Sequence, residues 1–258
     1  MVRVGDTVRR PWCESTATVH AYLNHLADEG ISFVPRALGR DEQGREMLSY
    51  VAGDVPVEPL PPWAVTDDVL ANLGALIRSL HDAAQSWQPP AGAPWGRLPG
   101  SSDVGSTAPT VPTELVSHGD YCPGNVVFRD QRPAAFIDFD LIRPTTRVAD
   151  CVNALHWWVP LKAPQDRPEQ LSTASVGQIA GRVNRFADSY GLDRSQRAQV
   201  VPQALRRAQD SLAWAQRAAP LDPVIGRWWR DGWQHSMPRT VAWLQETAAE
   251  LSDVIEMK

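Results

Sequence analysis

A polar loop followed by two short apolar runs is the feature that most constrains how this chain folds. The loop contains Asp120 and Asn125, and the apolar runs 126–128 and 134–137 follow it, the second ending at Asp138. A polar turn separates the two runs, which is the pattern of a β-hairpin. Pairing of these strands would bring Asn125 and Asp138 side by side.

The three polar side chains of this segment suit the transfer of a phosphoryl group. That reaction needs a hydroxyl oriented in line and a divalent metal that neutralises the triphosphate oxygens. Magnesium prefers hard oxygen ligands, so Asp138 and Asn125 are predicted to bind it together with phosphate oxygens and water. Asp120 is the predicted catalytic residue, because a second carboxylate can orient the attacking hydroxyl and accept its proton.

The same segment resembles the catalytic segment of the aminoglycoside phosphotransferase and choline kinase family, distant relatives of the protein kinases. The family's loop reads H-x-D with an Asn later in the loop, and His118, Asp120 and Asn125 match it. Asp138 matches the metal-binding Asp at a strand end, and Asp150 matches a further Asp that begins a helix and braces the loop. We assign His118 to hydrogen bonding rather than to catalysis.

The resemblance implies an α+β, two-lobed protein-kinase-like fold. Residues 1–52 would form a small antiparallel β-lobe with one helix, and residues 53–258 a larger, mainly helical lobe with the catalytic loop and the acceptor site. It also implies ATP or GTP as the phosphoryl donor and magnesium as the metal. The acceptor would be a small hydroxylated molecule, for example an aminoglycoside or another antibiotic.

Residues 7–11 are similar to the family's strand that carries a cation for the nucleotide phosphates. Arg9 is the predicted cation by alignment, and Arg9 and Arg10 cannot both face the nucleotide because side chains alternate along a strand. Both could instead be solvated edge charges. Few residues precede this strand and no glycine-rich loop occurs there, so the first hairpin is expected to be shortened. The next helix has Val19 roughly where a Glu is usual.

Residues 48–53 are similar to the connector between the two lobes. The resemblance implies that the backbone of Ser49 to Val51 meets the adenine edge, and Ser49 and Val51 are the predicted nucleotide contacts. A plain strand followed by a glycine explains the same residues.

The remaining elements are predicted from periodicity. Apolar residues at helical spacing predict helices over residues 15–28 and 66–84. A segment rich in Gly, Pro and Ser, residues 89–112, is predicted to be a surface loop. From residue 149 onward the chain is predicted to be helical with breaks.

The acceptor is expected between the catalytic loop and the C-terminal helices, where two interpretations stay open. Aromatic rings could stack on a sugar or enclose a quaternary ammonium, and acids would meet amines. An ordinary helical core with a solvated acidic face accounts for the same residues. The residues concerned are Trp157, Trp158, Asp210, Trp214, Trp228, Trp229, Asp231 and Trp233.

Composition excludes several other classes of protein. A formal net charge of -5 argues against a general nucleic-acid binder, which needs a basic surface. The apolar runs are too short for a membrane span, so we expect a cytoplasmic protein without membrane contact. The cysteines show neither zinc spacing nor a disulfide framework. Nothing in the sequence indicates an oligomeric state.

Two alternatives to a kinase stay open at this point. The shortened small lobe is compatible with a catalytically silent nucleotide-binding or scaffold protein that keeps the kinase-like fold. The same acids could also support metal-assisted hydrolysis, in which phosphate passes only to water.

Overall fold

The computed structural model describes residues 1–98 and 113–256. The predicted surface loop over residues 89–112 is therefore described only up to residue 98, and the rest of it lies outside the described residues.

The N-terminal part of the chain forms a four-stranded antiparallel sheet in the order β1-β2-β4-β3. Its strands are β1 (Val2–Val4), β2 (Thr7–Arg10), β3 (Ala37–Arg40) and β4 (Glu46–Ser49). The first hairpin is short, as expected, with a tight turn between β1 and β2. Helix α1 (Thr16–Asp28) follows β2 and matches the predicted helix.

The C-terminal part begins with helix α2 (Asp67–Ala84), where Thr66 accepts a hydrogen bond from the backbone of Val69 and caps the helix. Two small antiparallel pairs follow. They are β5 (Leu115–Ser117) with β8 (Arg143–Thr145), and β6 (Val126–Arg129) with β7 (Arg132–Phe136). The β6–β7 hairpin is the one predicted from the two apolar runs.

The remaining helices form the bulk of this part. They are α3 (Arg147–Trp158), α4 (Val176–Tyr190), α5 (Arg194–Ala218), α6 (Pro223–Trp228) and α7 (Gln234–Glu256). Capping boxes at Ser175 and Asp193 start α4 and α5, because each side chain bonds the backbone three residues on. Helix α2 packs on α4, and α3 and α7 pack on α5. The architecture is α+β, as predicted.

The two parts meet where the chain leaves β4. An isolated bridge joins Asp54 to Phe128 of β6, directly after Gly53. Gly53 has a φ of 147°, and a Cβ there would lie 2.4 Å from the Phe128 carbonyl oxygen. Only glycine allows the backbone at residue 53 to lie this close to the backbone of Phe128. The division of the chain at residue 52 stays a prediction.

Among the described residues, every helix is too short or too polar to cross a lipid bilayer.

Candidate active site

The loop before β6 rests on the buried carboxylate of Asp150, in the first turn of α3. Its Oδ2 accepts hydrogen bonds from Ser117 Oγ at 2.7 Å and Tyr121 Oη at 2.7 Å, and lies 2.9 Å from His81 Nε2. Its Oδ1 accepts from the backbone N–H of Gly119 at 3.1 Å. Asp150 thus braces the loop, as the resemblance implied.

The charge of Asp150 is stabilised by these donors. Burial raises its pKa, but hydrogen bonds from His81, Ser117 and Tyr121 outweigh burial, and the net pKa is lowered. An ionised carboxylate can only accept hydrogen bonds. His81 Nε2 therefore carries the hydrogen and donates the hydrogen bond to Asp150. His81 Nδ1 lies 2.7 Å from the Tyr190 hydroxyl, which extends the network into α4.

Side chains of α3 also fix the backbone of the loop. Asn153 accepts from the N–H of Tyr121 at 2.8 Å and donates to the carbonyl of Gly119 at 2.8 Å. The indole of Trp158 donates to the carbonyl of Tyr121 at 2.7 Å. Asp120 lies between these anchored neighbours, so the position of its backbone is set from both sides.

His118 and Gly119 have structural roles. His118 Nδ1 accepts from the N–H of Asp120 at 3.2 Å, so Nε2 donates to the Ile137 carbonyl at 2.9 Å. Burial lowers the pKa of His118, which agrees with a neutral ring. Gly119 has a φ of 75°, and a Cβ there would lie 2.8 Å from the Leu141 carbonyl oxygen.

The predicted catalytic residue and one predicted metal ligand are in direct contact. Asn125 Nδ2 donates to the carboxylate of Asp120 at 3.0 Å and to its backbone carbonyl at 3.0 Å. The Asn125 amide oxygen therefore points away from Asp120. Within residues 1–98 and 113–256, no protein donor reaches that oxygen.

The hairpin brings Asp138 to the same place. The N–H of Ile137 donates to the carbonyl of Asn125 at 3.0 Å, so Asp138 follows a residue bonded to Asn125. Asp138 has a φ of 64°, in the left-handed region that side-chain-bearing residues rarely adopt. Such strain is concentrated at active sites, and here it turns the carboxylate out of the strand.

This donor set fits a magnesium ion that a nucleotide also binds. Magnesium is usually held in proteins by one or two carboxylates together with substrate phosphates and water. Asp138 offers a partly exposed carboxylate and Asn125 offers the amide oxygen without a protein donor. Over the described part of the chain, no cluster of three or more His, Cys, Asp or Glu could hold a metal by itself. Phosphate oxygens would therefore complete the site.

The cation that reaches this site is Arg10 and not Arg9. Arg10 Nη1 lies 3.1 Å from Asp138 Oδ1 and 3.0 Å from Asp140 Oδ2. Arg9 points to the other face of the sheet, where its Nη1 lies 3.4 Å from Asp41. Alternation of side chains along β2 predicts that only one of the two arginines faces the cleft. The alignment indicated Arg9, whereas Arg10 faces the cleft in the structure.

The acid partner of Arg10 comes from a neighbouring strand. Arg10 pairs with Glu46, which stands opposite it in the β2–β4 register. His20 of α1 lies 3.0 Å from the other oxygen of Glu46. Burial raises the pKa of Glu46, but the bonds from His20 and Arg10 lower it further than burial raises it. Helix α1 thus contributes His20, the residue after Val19, to the carboxylate that pairs with Arg10.

The connector residues lie at the end of β4. The N–H of Ser49 already donates to the Arg36 carbonyl at 3.0 Å, and its hydroxyl accepts from the Arg36 N–H at 2.8 Å. In the described ranges, the backbone N–H and carbonyl of Val51 have no protein partner. The assignments of Ser49 and Val51 to the nucleotide stay predictions.

The aromatic and acidic residues expected near the acceptor divide into two groups. Trp158 is a core residue under the catalytic loop, whereas Trp157 is half-buried beside it. The ring of Trp233 contacts the rings of Trp214 and Trp228, and Trp229 is half-buried. Asp210 and Asp231 are exposed.

The thiol of Cys122 lies in the loop, near the Asp120 carboxylate. Burial, followed by the nearby Asp120 carboxylate, raises the pKa of this thiol to about 12. The thiol is therefore protonated at neutral pH.

Comparison with known proteins agrees with this geometry. A model of the "Phosphotransferase enzyme family" matches residues 102–184, which include the catalytic loop, Asp138 and Asp150. The Trifolitoxin immunity protein of Rhizobium leguminosarum bv. trifolii is 30% identical over 233 residues, covering 86% of this chain and 82% of that protein.

Solved structures show the same fold. A choline/ethanolamine kinase family protein from Mesorhizobium loti superposes with a TM-score of 0.59 at 15% identity, over 99% of this chain and 88% of that one. A microcompartment-associated aminopropanol kinase gives a TM-score of 0.55 at 16% identity, over 95% of this chain and 86% of that one. Motif, fold and sequence similarity agree, and the chain belongs to the phosphotransferase enzyme family.

Proposed function

We propose that this protein transfers the γ-phosphoryl group of ATP or GTP to a hydroxyl of a small molecule, with magnesium. The observation that carries the proposal is the contact of Asp120 with Asn125, next to the strained Asp138. One carboxylate is held by an amide donor, and a second is turned toward a cation. This is the arrangement that phosphoryl transfer needs.

Each side chain has a distinct role in the proposal. Asp120 orients the acceptor hydroxyl and accepts its proton. Asn125 and Asp138 hold magnesium, which when bound neutralises charge on the phosphate oxygens. Arg10 takes the role first assigned to Arg9, because its guanidinium is the one beside Asp138 and can donate to phosphate oxygens.

The proposal is tested with Asp120→Asn and a panel of hydroxylated molecules. Mass spectrometry after incubation with ATP or GTP and magnesium detects phosphorylated products. Asp120→Asn should keep the fold and reduce turnover about a hundredfold to ten-thousandfold, the usual contribution of a general base. The matched control is Asp130→Asn, in the exposed turn at the far end of the β6–β7 hairpin. Unchanged turnover in Asp120→Asn would reject the assignment.

The similarity to an immunity protein supports a second candidate, protection of a cell against a toxic molecule. Protection could work through phosphorylation or through binding by a catalytically silent protein. A sensitive host that expresses the chain should survive trifolitoxin, and the Asp120→Asn variant separates the two routes. Protection that Asp120→Asn abolishes supports phosphorylation, and protection that it preserves supports binding. Equal survival of hosts with and without the chain rejects this candidate.

A further inference from the structure

The side of the catalytic loop that faces α3 and α5 contains hydrogen-bond donors without protein acceptors. Among the described residues, the indole nitrogens of Trp157 and Trp214 are buried and have no partner. Buried polar groups are almost always bonded in native proteins, so each of these two donors needs an explanation. An indole N–H can only donate.

Trp157 lies close to the catalytic loop. Asn153, one turn earlier on α3, bonds Gly119 and Tyr121 on either side of Asp120. Residues one turn apart share a helix face, so Trp157 continues the face that touches the loop. The Lys162 ammonium lies 4.4 Å from the centre of the Trp157 ring, and the His156 ring centre lies 5.1 Å away.

Helix α5 adds a second cation to this region. Arg207 is half-buried on the helix that packs against α3, and Trp214 lies on the same face two turns later. Arg207 interacts electrostatically with Asp120, His156 and Lys162. Across the described residues, no carboxylate forms an ion pair with Lys162 or Arg207.

The charges in this cluster are predominantly positive. Burial lowers the pKa of His156, and the cations of Arg207 and Lys162 lower it further, so the ring is neutral at neutral pH. Burial also lowers the pKa of Lys162, and it lowers the pKa of Arg207 to about 10, which leaves Arg207 protonated near pH 7.

The acids around the cluster do not satisfy its donors. Glu58 and Asp166 act on Lys162 only at a distance, and Asp166 is bonded to Arg239 at 2.9 Å. Asp210, the acid nearest in sequence on α5, is exposed. Asp120 is the acid that acts on Arg207, and it is the proposed base.

We propose that the acceptor alcohol carries an anionic group, a carboxylate or a phosphate, which binds the Trp157 indole, Lys162 and Arg207 while its hydroxyl meets Asp120. The inference rests on the proposed function and names the substrate class of the same site. An anionic oxygen would accept from the orphaned indole and pair with both cations. A cationic alcohol would face two like charges at this position.

The test compares molecules that share one polyol chain and differ in charge. Gluconate, glucitol and glucamine end in a carboxylate, an alcohol and an amine, and glycerol phosphate against glycerol separates phosphate from carboxylate as the anion. Binding to the full chain is measured by titration calorimetry, and phosphoryl transfer by mass spectrometry. An anionic member should bind at least about tenfold more tightly than its neutral partner, the usual value of a charged hydrogen bond.

Substitutions of the cationic residues test where the anion binds. Lys162→Gln combined with Arg207→Gln should weaken binding of the anionic member at least about tenfold. Arg206→Gln combined with Arg217→Gln removes the same charge from exposed positions of α5 and should leave binding unchanged. Arg10→Met should weaken the binding of anions that occupy the site proposed for the nucleotide phosphates, and this variant identifies them.

The outcomes separate this inference from the proposed function. Equal or tighter binding of the neutral or amine member, absence of binding by every anion, or anion binding that survives the Lys162 and Arg207 changes overturns the inference. Phosphoryl transfer to glucitol or glucamine in that case would leave the proposed function standing. Anion binding that depends on Lys162 and Arg207, without transfer to any member or to any molecule of the panel used to test the proposed function, would uphold the anion site and reject the phosphotransferase.

Discussion

The two sides of the catalytic loop differ in how their polar groups are satisfied. Beneath the loop, Asp150 collects donors from His81, Ser117, Tyr121 and Gly119, and the carboxylate has a partner on both oxygens. On the side of α3 and α5, buried indole donors have no acceptor within the described residues. A satisfied network stabilises one conformation, whereas unsatisfied donors indicate a place for a ligand.

The largest expected effect on stability comes from removing the acceptor beneath the loop. Asp150→Ala removes the shared acceptor of four donors, three of them on buried residues, so the free energy of unfolding should fall by about 3–5 kcal/mol. Urea unfolding measures the loss, and the exposed Asp210→Ala is the control. Asp150→Asn, which keeps the shape, covers the case in which Asp150→Ala does not fold. A loss below about 1 kcal/mol in both variants would contradict the claim that the network around Asp150 stabilises the loop.

Acid should weaken the same network. The pKa of Asp150 is lower in the folded protein than the ordinary value of about 3.9, so its stabilisation is present above that pH and is lost as the pH falls below it. Wild-type stability should therefore decrease below about pH 4 more steeply than that of Asp150→Asn. Thermal unfolding across this range checks the slope. Parallel curves for the two proteins would show that Asp150 does not contribute.

The arginine pair of β2 gives the next largest effect. Arg10→Met should weaken binding of ADP with magnesium by about tenfold to a hundredfold, because it removes a charged donor from the side of Asp138. Arg9→Met removes the same charge from the other face of the sheet and should change affinity little. Calorimetry measures both. Greater loss in Arg9→Met would return the cation role to Arg9.

The smallest expected effect is a difference in the free energy of unfolding between variants of the two adjacent tryptophans, Trp157 and Trp158. Trp158→Phe loses the bond to the Tyr121 carbonyl and should cost about 1–3 kcal/mol more than Trp157→Phe, whose indole has no partner to lose. Chemical unfolding of both variants measures the difference. Equal losses would mean that the unsatisfied indole has a partner in solution even without ligand.

The sequence predicted the catalytic side of the site better than the rest. The approach of Asn125 to Asp138 follows from a local hairpin, because the two residues lie just before β6 and just after β7, which pair with each other. Asp150 was found through the resemblance, because it matches an Asp of the family that begins a helix and braces the loop. The hairpin depends on contacts close together in the chain, whereas Asp150 was found by its match to a family position.

The parts that sequence reasoning missed depend on distant pairing. Strand alternation could show that one arginine faces the cleft, but the choice of Arg10 depends on the register that sets it opposite Glu46. Lys162 and Arg207 belong to no motif and come together only because α3 packs on α5. The spacing of Arg207 and Trp214 on one helix face was the single signal available in the sequence.

Three successive contacts connect α1 to the end of β7. They join His20 to Glu46, Glu46 to Arg10, and Arg10 to Asp138. Helix α1 cannot rotate away from the sheet without pulling on Glu46, and Glu46 holds the guanidinium that contacts the strained aspartate. Displacement of α1 would therefore be transmitted to the end of β7 through three contacts. The position of the Asp138 carboxylate therefore depends on the position of a helix that lies outside the candidate site.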